Sequence, residues 1–170
     1  GIMLCCVEDG RNVVIDNLIG IGPSGIPLGN GQAGITIDRT RYNIVGPGNT
    51  IAHNLGDGIS FWDDTPYNTV TQNSIHDHSG RGIAQGTPPP PAILNFDLQA
   101  GTVSGTACAN CTVEIFSDSG DEGAIYEGRV VADGNGAFIF EKGAPLAGPF
   151  LTATATDPDG NTSEFSQPSQ

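Results

Sequence analysis

The chain has 170 residues, with 19 acidic and 6 basic side chains and a net charge of −13. That balance disfavours nucleic acid and anionic membranes as partners, and no apolar run approaches the roughly 20 residues of a membrane span. Abundant Gly, Thr, Asn and Asp with a single Lys suit an all-β protein of one or two domains.

The first residues, Gly1-Ile2-Met3-Leu4, lack the basic flank and length of a signal peptide. They match Gly34-Ile35-Thr36-Ile37 position for position. The chain is therefore expected to begin inside a repeat, as the C-terminal piece of a longer protein. The missing signal peptide then carries no weight against export. Residues 12–19 align without gaps to 68–75, so a further coil is expected before Gly34, enlarged by an insertion around residues 20–31.

Between Ala33 and Gln85 the repeat is explicit. Gly34-Ile35-Thr36-Ile37 returns as Gly58-Ile59-Ser60-Phe61 and as Gly82-Ile83-Ala84-Gln85, and Asn49-Thr50-Ile51 returns as Asn73-Ser74-Ile75, always at a step of 24 residues. A fixed period of this size means stacked units that bury a face only against neighbours. Alternation within each unit predicts short strands, not helices. Parallel stacking about 4.8 Å apart predicts inward ladders Ile35/Ile59/Ile83, Ile37/Phe61 and Ile51/Ile75, with Asn49 and Asn73 bonded from coil to coil at a bend. The expected fold is a right-handed parallel β-helix of about three coils.

The repeat ends after Gln85, and Pro88 to Pro91 cannot feed a ladder. The expected division is β-helix over residues 1–87, proline linker over 88–91, and a second module over 92–170. There, short alternating runs at 93–98, 102–106, 112–117, 124–131, 137–141, 151–157 and 162–166 are separated by Gly, Asp and Asn turns. About seven strands read as an antiparallel immunoglobulin-like sandwich. Val113, Ile115, Phe138, Phe140, Leu151, Ala153 and Ala155 are expected to share its core, with Glu114 and the threonines of 152–156 outside.

The Asn-x-Ile and Gly-Ile-x-Ile ladders resemble the parallel β-helix repeats of the pectin lyase-like superfamily. Thr112-Val113-Glu114-Ile115-Phe116-Ser117 and Leu151-Thr152-Ala153-Thr154-Ala155-Thr156 resemble bacterial Ig-like modules. The resemblance implies a secreted or surface-anchored protein. It does not imply one activity, because that fold carries lyases, hydrolases, epimerases, adhesins and scaffolds.

The 24-residue step maps coil neighbours. It places His53 over Asp77, Asn54 over His78, Asp57 over Arg81 and Ala52 beside His76. His53 with Asp77 could form a base and its orienting carboxylate, and Arg81 beside Asp57 could hold a substrate carboxylate. The rival reading makes them turn and outer-face residues. Trp62 followed by Asp63 and Asp64 could form a glycan site with the ring as platform. Adjacent carboxylates point apart, so they are a poor acid/base pair, and Asp63 is expected to pair with Arg39. Cys108 and Cys111 could close a local disulfide or remain free thiols; Cys5 and Cys6 make a poor chelating pair.

The loops holding Asp118, Asp121 and Glu122, and Asp157 and Asp159, supply oxygens that would suit Ca²⁺ or simply form turns. No cofactor is otherwise expected. Two functions stand against each other. One is a non-catalytic extracellular or cell-surface scaffold, adhesive or glycan-facing, with polysaccharide or other surface proteins as partners. The other is a fragment of a polysaccharide lyase, hydrolase or epimerase acting on uronate polymers. The first is preferred, since only one or two coil steps bring catalytic residue types together.

Overall fold

Apolar side chains two residues apart on a strand point the same way, so each Gly-Ile-x-Ile becomes one rung of an inward wall. The computed structural model describes residues 1–63 and 65–169. The strands of the first half are, in order, β1 (Ile2–Cys5), β2 (Val13–Val14), β3 (Leu18–Ile19), β4 (Ile35–Asp38), β5 (Ile44–Val45), β6 (Thr50–Ala52), β7 (Ile59–Trp62), β8 (Thr69–Val70), β9 (Ser74–His76) and β10 (Ile83–Ala84). They form three parallel sheets ordered β1-β4-β7-β10, β2-β5-β8 and β3-β6-β9. Successive coils thus stack strand on strand along three walls, the arrangement of a parallel β-helix.

Ile2, Ile35, Ile59 and Ile83 are in register along one wall. Ile37 lies beside Phe61, and Ile19, Ile51 and Ile75 follow along a second wall. The third wall, Val14-Val45-Val70, is hidden from the 24-residue step, because Val45 pairs with Val70 one residue off it. The insertion of the first coil is a small loop, with Gly22 N–H donating to Ile26 O and Leu28 N–H to Gly20 O.

Asparagines hold the bends. Asn49, 1 % exposed, donates from Nδ2 to Asn73 Oδ1 and to Val14 O, both at 2.8 Å. Two more ladders exist, Asn12-Asn43-Asn68 and Asn30-Asn54, and the latter continues into His78. In each, an inner amide accepts the backbone N–H of the previous coil, a group that side chains rather than strands must satisfy where the chain turns.

The second half comprises β11 (Ala92–Asp97), β12 (Thr102–Thr106), β13 (Thr112–Asp118), β14 (Ile125–Val131), β15 (Ala137–Glu141) and β16 (Phe150–Thr156). Antiparallel sheets β11-β12-β15 and β14-β13-β16 form the Ig-like sandwich. Val113, Ile115, Phe138, Phe140, Leu151 and Ala153 share one buried cluster, and Ala155 is also fully buried. A disulfide joins Cys108 to Cys111 in the β12–β13 turn, with Cα atoms 5.4 Å apart.

One expectation fails here, and the outward face of one sheet is covered rather than exposed, each for a physical reason. The run 162–166 is not a seventh ladder strand. Ser163, Ser166 and Ser169 instead donate N–H to the carbonyls of Ala155, Ala153 and Leu151, while their hydroxyls accept the N–H of the same three residues. Contacts recurring every three residues cannot follow a strand, whose side chains repeat every two; the serine hydroxyls supply the missing acceptors. Thr152 and Thr154 do not face solvent but are 0 % and 2 % exposed. Glu114 is likewise buried. The outer face of the β14-β13-β16 sheet is covered, because it lies against the end of the solenoid.

Candidate functional site

The last coil of a solenoid presents backbone N–H groups with no further coil to receive them. Here the sandwich receives them. Val70 N–H donates to Thr162 Oγ1 at 2.9 Å, Gln72 N–H to Glu114 Oε2 at 2.9 Å and His78 N–H to Glu122 Oε2 at 3.2 Å. Tyr67 N–H reaches Asn161 Oδ1, and Gln85 N–H reaches Glu164 Oε1. Ile75 and Gly123 exchange both backbone hydrogen bonds. On β13, Val113 and Ile115 point into the sandwich, so Glu114 and Phe116 must point to the coils. Phe116 and Phe165 join the buried cluster of the solenoid, their rings meeting edge to face at 5.3 Å. A Cβ added at Gly82 or Gly123 would lie 2.7 or 2.6 Å from the Phe165 ring, so only glycine lets the surfaces approach this closely.

The electrostatics of this junction follow from burial. Desolvation raises the Glu114 carboxyl above its ordinary range, against hydrogen bonds from Thr71 and Gln72. Desolvation pushes Glu122 up to about 7, helped by the negative charges of Asp118, Asp121 and Asp77 and opposed by the His78 N–H. Among the described residues its buried Oε1 has no hydrogen-bond partner. His78 moves the other way, down to about 4, chiefly through desolvation. Its Nδ1 faces the Asn54 N–H and its Nε2 faces Ile51 O, which together demand the neutral ring protonated on Nε2.

The proposed base pair sits on the outer face. His53 Nδ1 is 3.9 Å from Asp77 Oδ2, while His76, on the strand next to it, bonds the same oxygen at 2.8 Å. That hydrogen bond holds Asp77 below the usual carboxylate range against its partial burial, and the nearby histidines add to it. Asp57 and Arg81 meet only through the Arg81 backbone N–H, at 2.9 Å. The Arg81 guanidinium instead binds both oxygens of Glu164, at 2.8 and 2.9 Å. Glu164 comes from the C-terminal segment, which no coil-to-coil map contains.

Trp62 ends β7 on the outer face, 54 % exposed, with its indole N–H donated to Ser60 Oγ at 2.9 Å. A cleft of about 240 Å³ opens beside it, between the coils and Asn161 of the sandwich, and Asp63 lines it. Asp64 lies outside the described residues. Arg39 pairs with its neighbour Asp38, at 3.0 and 3.1 Å, and not with Asp63, because its carboxylate is one residue away on the same turn. Asp118 accepts the N–H groups of Gly120 and Ala124. Asp157 accepts those of Asp159 and Asn161, so both carboxylates act as turn formers. Among the described residues no three His, Cys, Asp or Glu side chains converge to hold a metal ion.

Residues 1–87 match the family described as Periplasmic copper-binding protein (NosD). Residues 87–167 match the family described as Bacterial Ig domain. A comparison with curated proteins gives no match.

Proposed function

The chain belongs to the periplasmic copper-binding protein (NosD) family, and from that premise we propose a non-catalytic scaffold: a β-helical ribbon whose Ig-like module closes its end. We divide it at residues 1–87, 88–91 and 92–170. The observation that carries the reading is the capture of the last coil's N–H groups by Glu114, Glu122, Glu164, Asn161, Thr162 and Gly123. Terminal units of a solenoid need such a cap to remain soluble. The periplasmic family and the bacterial Ig module support a location in the periplasm or outside the cell, where a disulfide such as Cys108–Cys111 persists. Display at the cell surface and an adhesive role are the finer form of the proposal.

Copper appears in the family's description, and the residues present do not fit a copper centre. His78 has both ring nitrogens engaged in the coil ladder. His53 and His76 share the single carboxylate of Asp77, and among the described residues these three do not converge to hold a metal ion.

Hydrogen exchange on the whole chain tests the cap. The amides of Val70, Gln72 and Ile75 should exchange as slowly as Ile59 in β7. Phe165→Ala, at a cost of about 3–4 kcal/mol, should speed them while Ile59 stays slow. Fast exchange of the last coil in the unaltered protein would contradict the reading.

A further inference from the structure

We propose that the cleft beside Trp62 binds one ring of a neutral pyranose oligosaccharide, in a site assembled jointly by the coils and the sandwich. The platform is built first. Ser60 and Trp62 lie two apart on β7 and so share its outer face. Ser60 is 2 % exposed, and its hydroxyl holds the indole N–H at 2.9 Å. The indole therefore has its polar atom satisfied internally and offers an apolar face in a fixed orientation. An exposed ring held this way on the wall of a cleft is suited to stacking against an apolar face of a ligand.

The cleft fits a single ring. Its volume of about 240 Å³ lies just below the range of drug-sized pockets. Phe61, Asn68, Asn161 and Thr162 contribute to its lining. These polar groups are committed: Asn68 Nδ2 donates to Thr40 O and Thr65 O, Asn161 to Asp157, and Thr162 Oγ1 accepts the Val70 N–H. The lining is thus rigid. By contrast, Asp63, Thr65, Gln85 and Thr87 line the same cleft, and among the described residues their side chains show no hydrogen bond. Two residues after Ala84, which pairs with Ser60, the chain has Gly86, so no side chain repeats Trp62 on the next coil and the hollow stays open.

The donor set names the ligand class. Among the described residues, an apolar platform edged by one carboxylate, one amide and two hydroxyls suits a molecule with an aliphatic C–H face and a rim of hydroxyls, which is a pyranose. Asp63 and a chain charge of −13 disfavour uronates. Arg39, whose guanidinium feels the charge of Asp63, is already held by Asp38.

Trp62 is the sole tryptophan, so its emission reports this cleft alone. The whole chain is titrated with hexasaccharides of glucose in β-1,4, β-1,3 and α-1,4 linkage, of xylose and of N-acetylglucosamine, and with hexagalacturonate. A saturable emission shift is expected with at least one neutral oligomer and none with hexagalacturonate. Calorimetry with the responding oligomer should show affinity at least tenfold weaker for Trp62→Ala and several-fold weaker for Gln85→Ala, with Trp62→Phe intermediate and thermal midpoints unchanged. No shift with any neutral oligomer, a preference for hexagalacturonate, or undiminished binding by Trp62→Ala would each overturn the proposal.

Discussion

At the scale of single residues, the bends of the β-helix depend on side chains that imitate backbone. Asn49 illustrates the demand: its Oδ1 receives the Asn17 N–H, and its Nδ2 serves Val14 O and Asn73 Oδ1. Removing it leaves buried partners unpaired in two coils, at about 1–3 kcal/mol for each stranded group. Asn49→Ala should therefore lower the thermal midpoint by roughly 5–10 °C in calorimetry, and Asn30→Ala, at a half-buried position, by clearly less. The corners add a second constraint. Tyr42 and Tyr67 have φ of 62° and 61°, and His53 and Asp77 have 59° and 58°, so equivalent corners repeat a left-handed backbone that side chains seldom adopt. Tyr42 and Tyr67 stack at 5.0 Å, with Arg11 5.1 Å above Tyr42. Lys142, the single lysine, bonds buried Glu127, which also accepts from Ser117 and Ala147. Burial alone would raise that carboxyl; those hydrogen bonds outweigh it and hold it low. Lys142→Ala should cost about 2 kcal/mol, measured by urea unfolding near neutral pH.

At the scale of elements, the junction of the last coil with β13 and the loop after it carries two titrations of opposite sign. His78 has its pKa lowered from 6.5 to about 4. The unfolded chain then binds more protons between those values, so this group makes stability rise with pH from about 4 to 6.5. Glu122 has its pKa raised from 4.5 to about 7. The folded chain binds more protons there, so stability falls as pH rises from 4.5 to about 7, and Glu114 acts in the same direction. The two effects offset each other across their common window. His78→Asn, which continues the Asn30-Asn54 ladder with an amide, should expose a fall in stability over that window. Glu122→Gln should expose a rise. Urea midpoints from pH 4 to 7.5 for the two variants decide it, and parallel curves would show that neither group is coupled to folding.

For the whole molecule, the two modules share an apolar cluster through Phe116 and Phe165. A hydrophobic interface couples domains that would otherwise move and unfold separately. Calorimetry should give one transition for the intact chain, not two separated ones. The same scale governs activity. A polymer groove gains rate by binding remote sugar units along several coils, whereas Arg81 is bound to Glu164 and His53 shares Asp77 with His76. No release of unsaturated or reducing ends from pectin, alginate or related polyuronates is expected, with or without Ca²⁺. Turnover that disappears in His53→Ala or Arg81→Ala would establish the enzyme reading instead.

Much of the fold can be read from the amino-acid order because a solenoid writes its contacts as a period. Ile35, Ile59 and Ile83 are neighbours in space for the same reason that they recur in sequence, and Asn49 finds Asn73 by the same step. The strands of the sandwich likewise announce themselves by alternation, a local property. The partners of Glu114, Glu122, Glu164 and Phe165 lie beyond any repeat, since nothing periodic links Gln72 to Glu114 or Arg81 to Glu164. Alternation assigned Glu114 and Thr152 to an outer face correctly, but it could not say that a second apolar surface covers that face. Only packing of the sandwich onto the last coil turned outward residues into buried acceptors, and only that packing made a cleft beside Trp62.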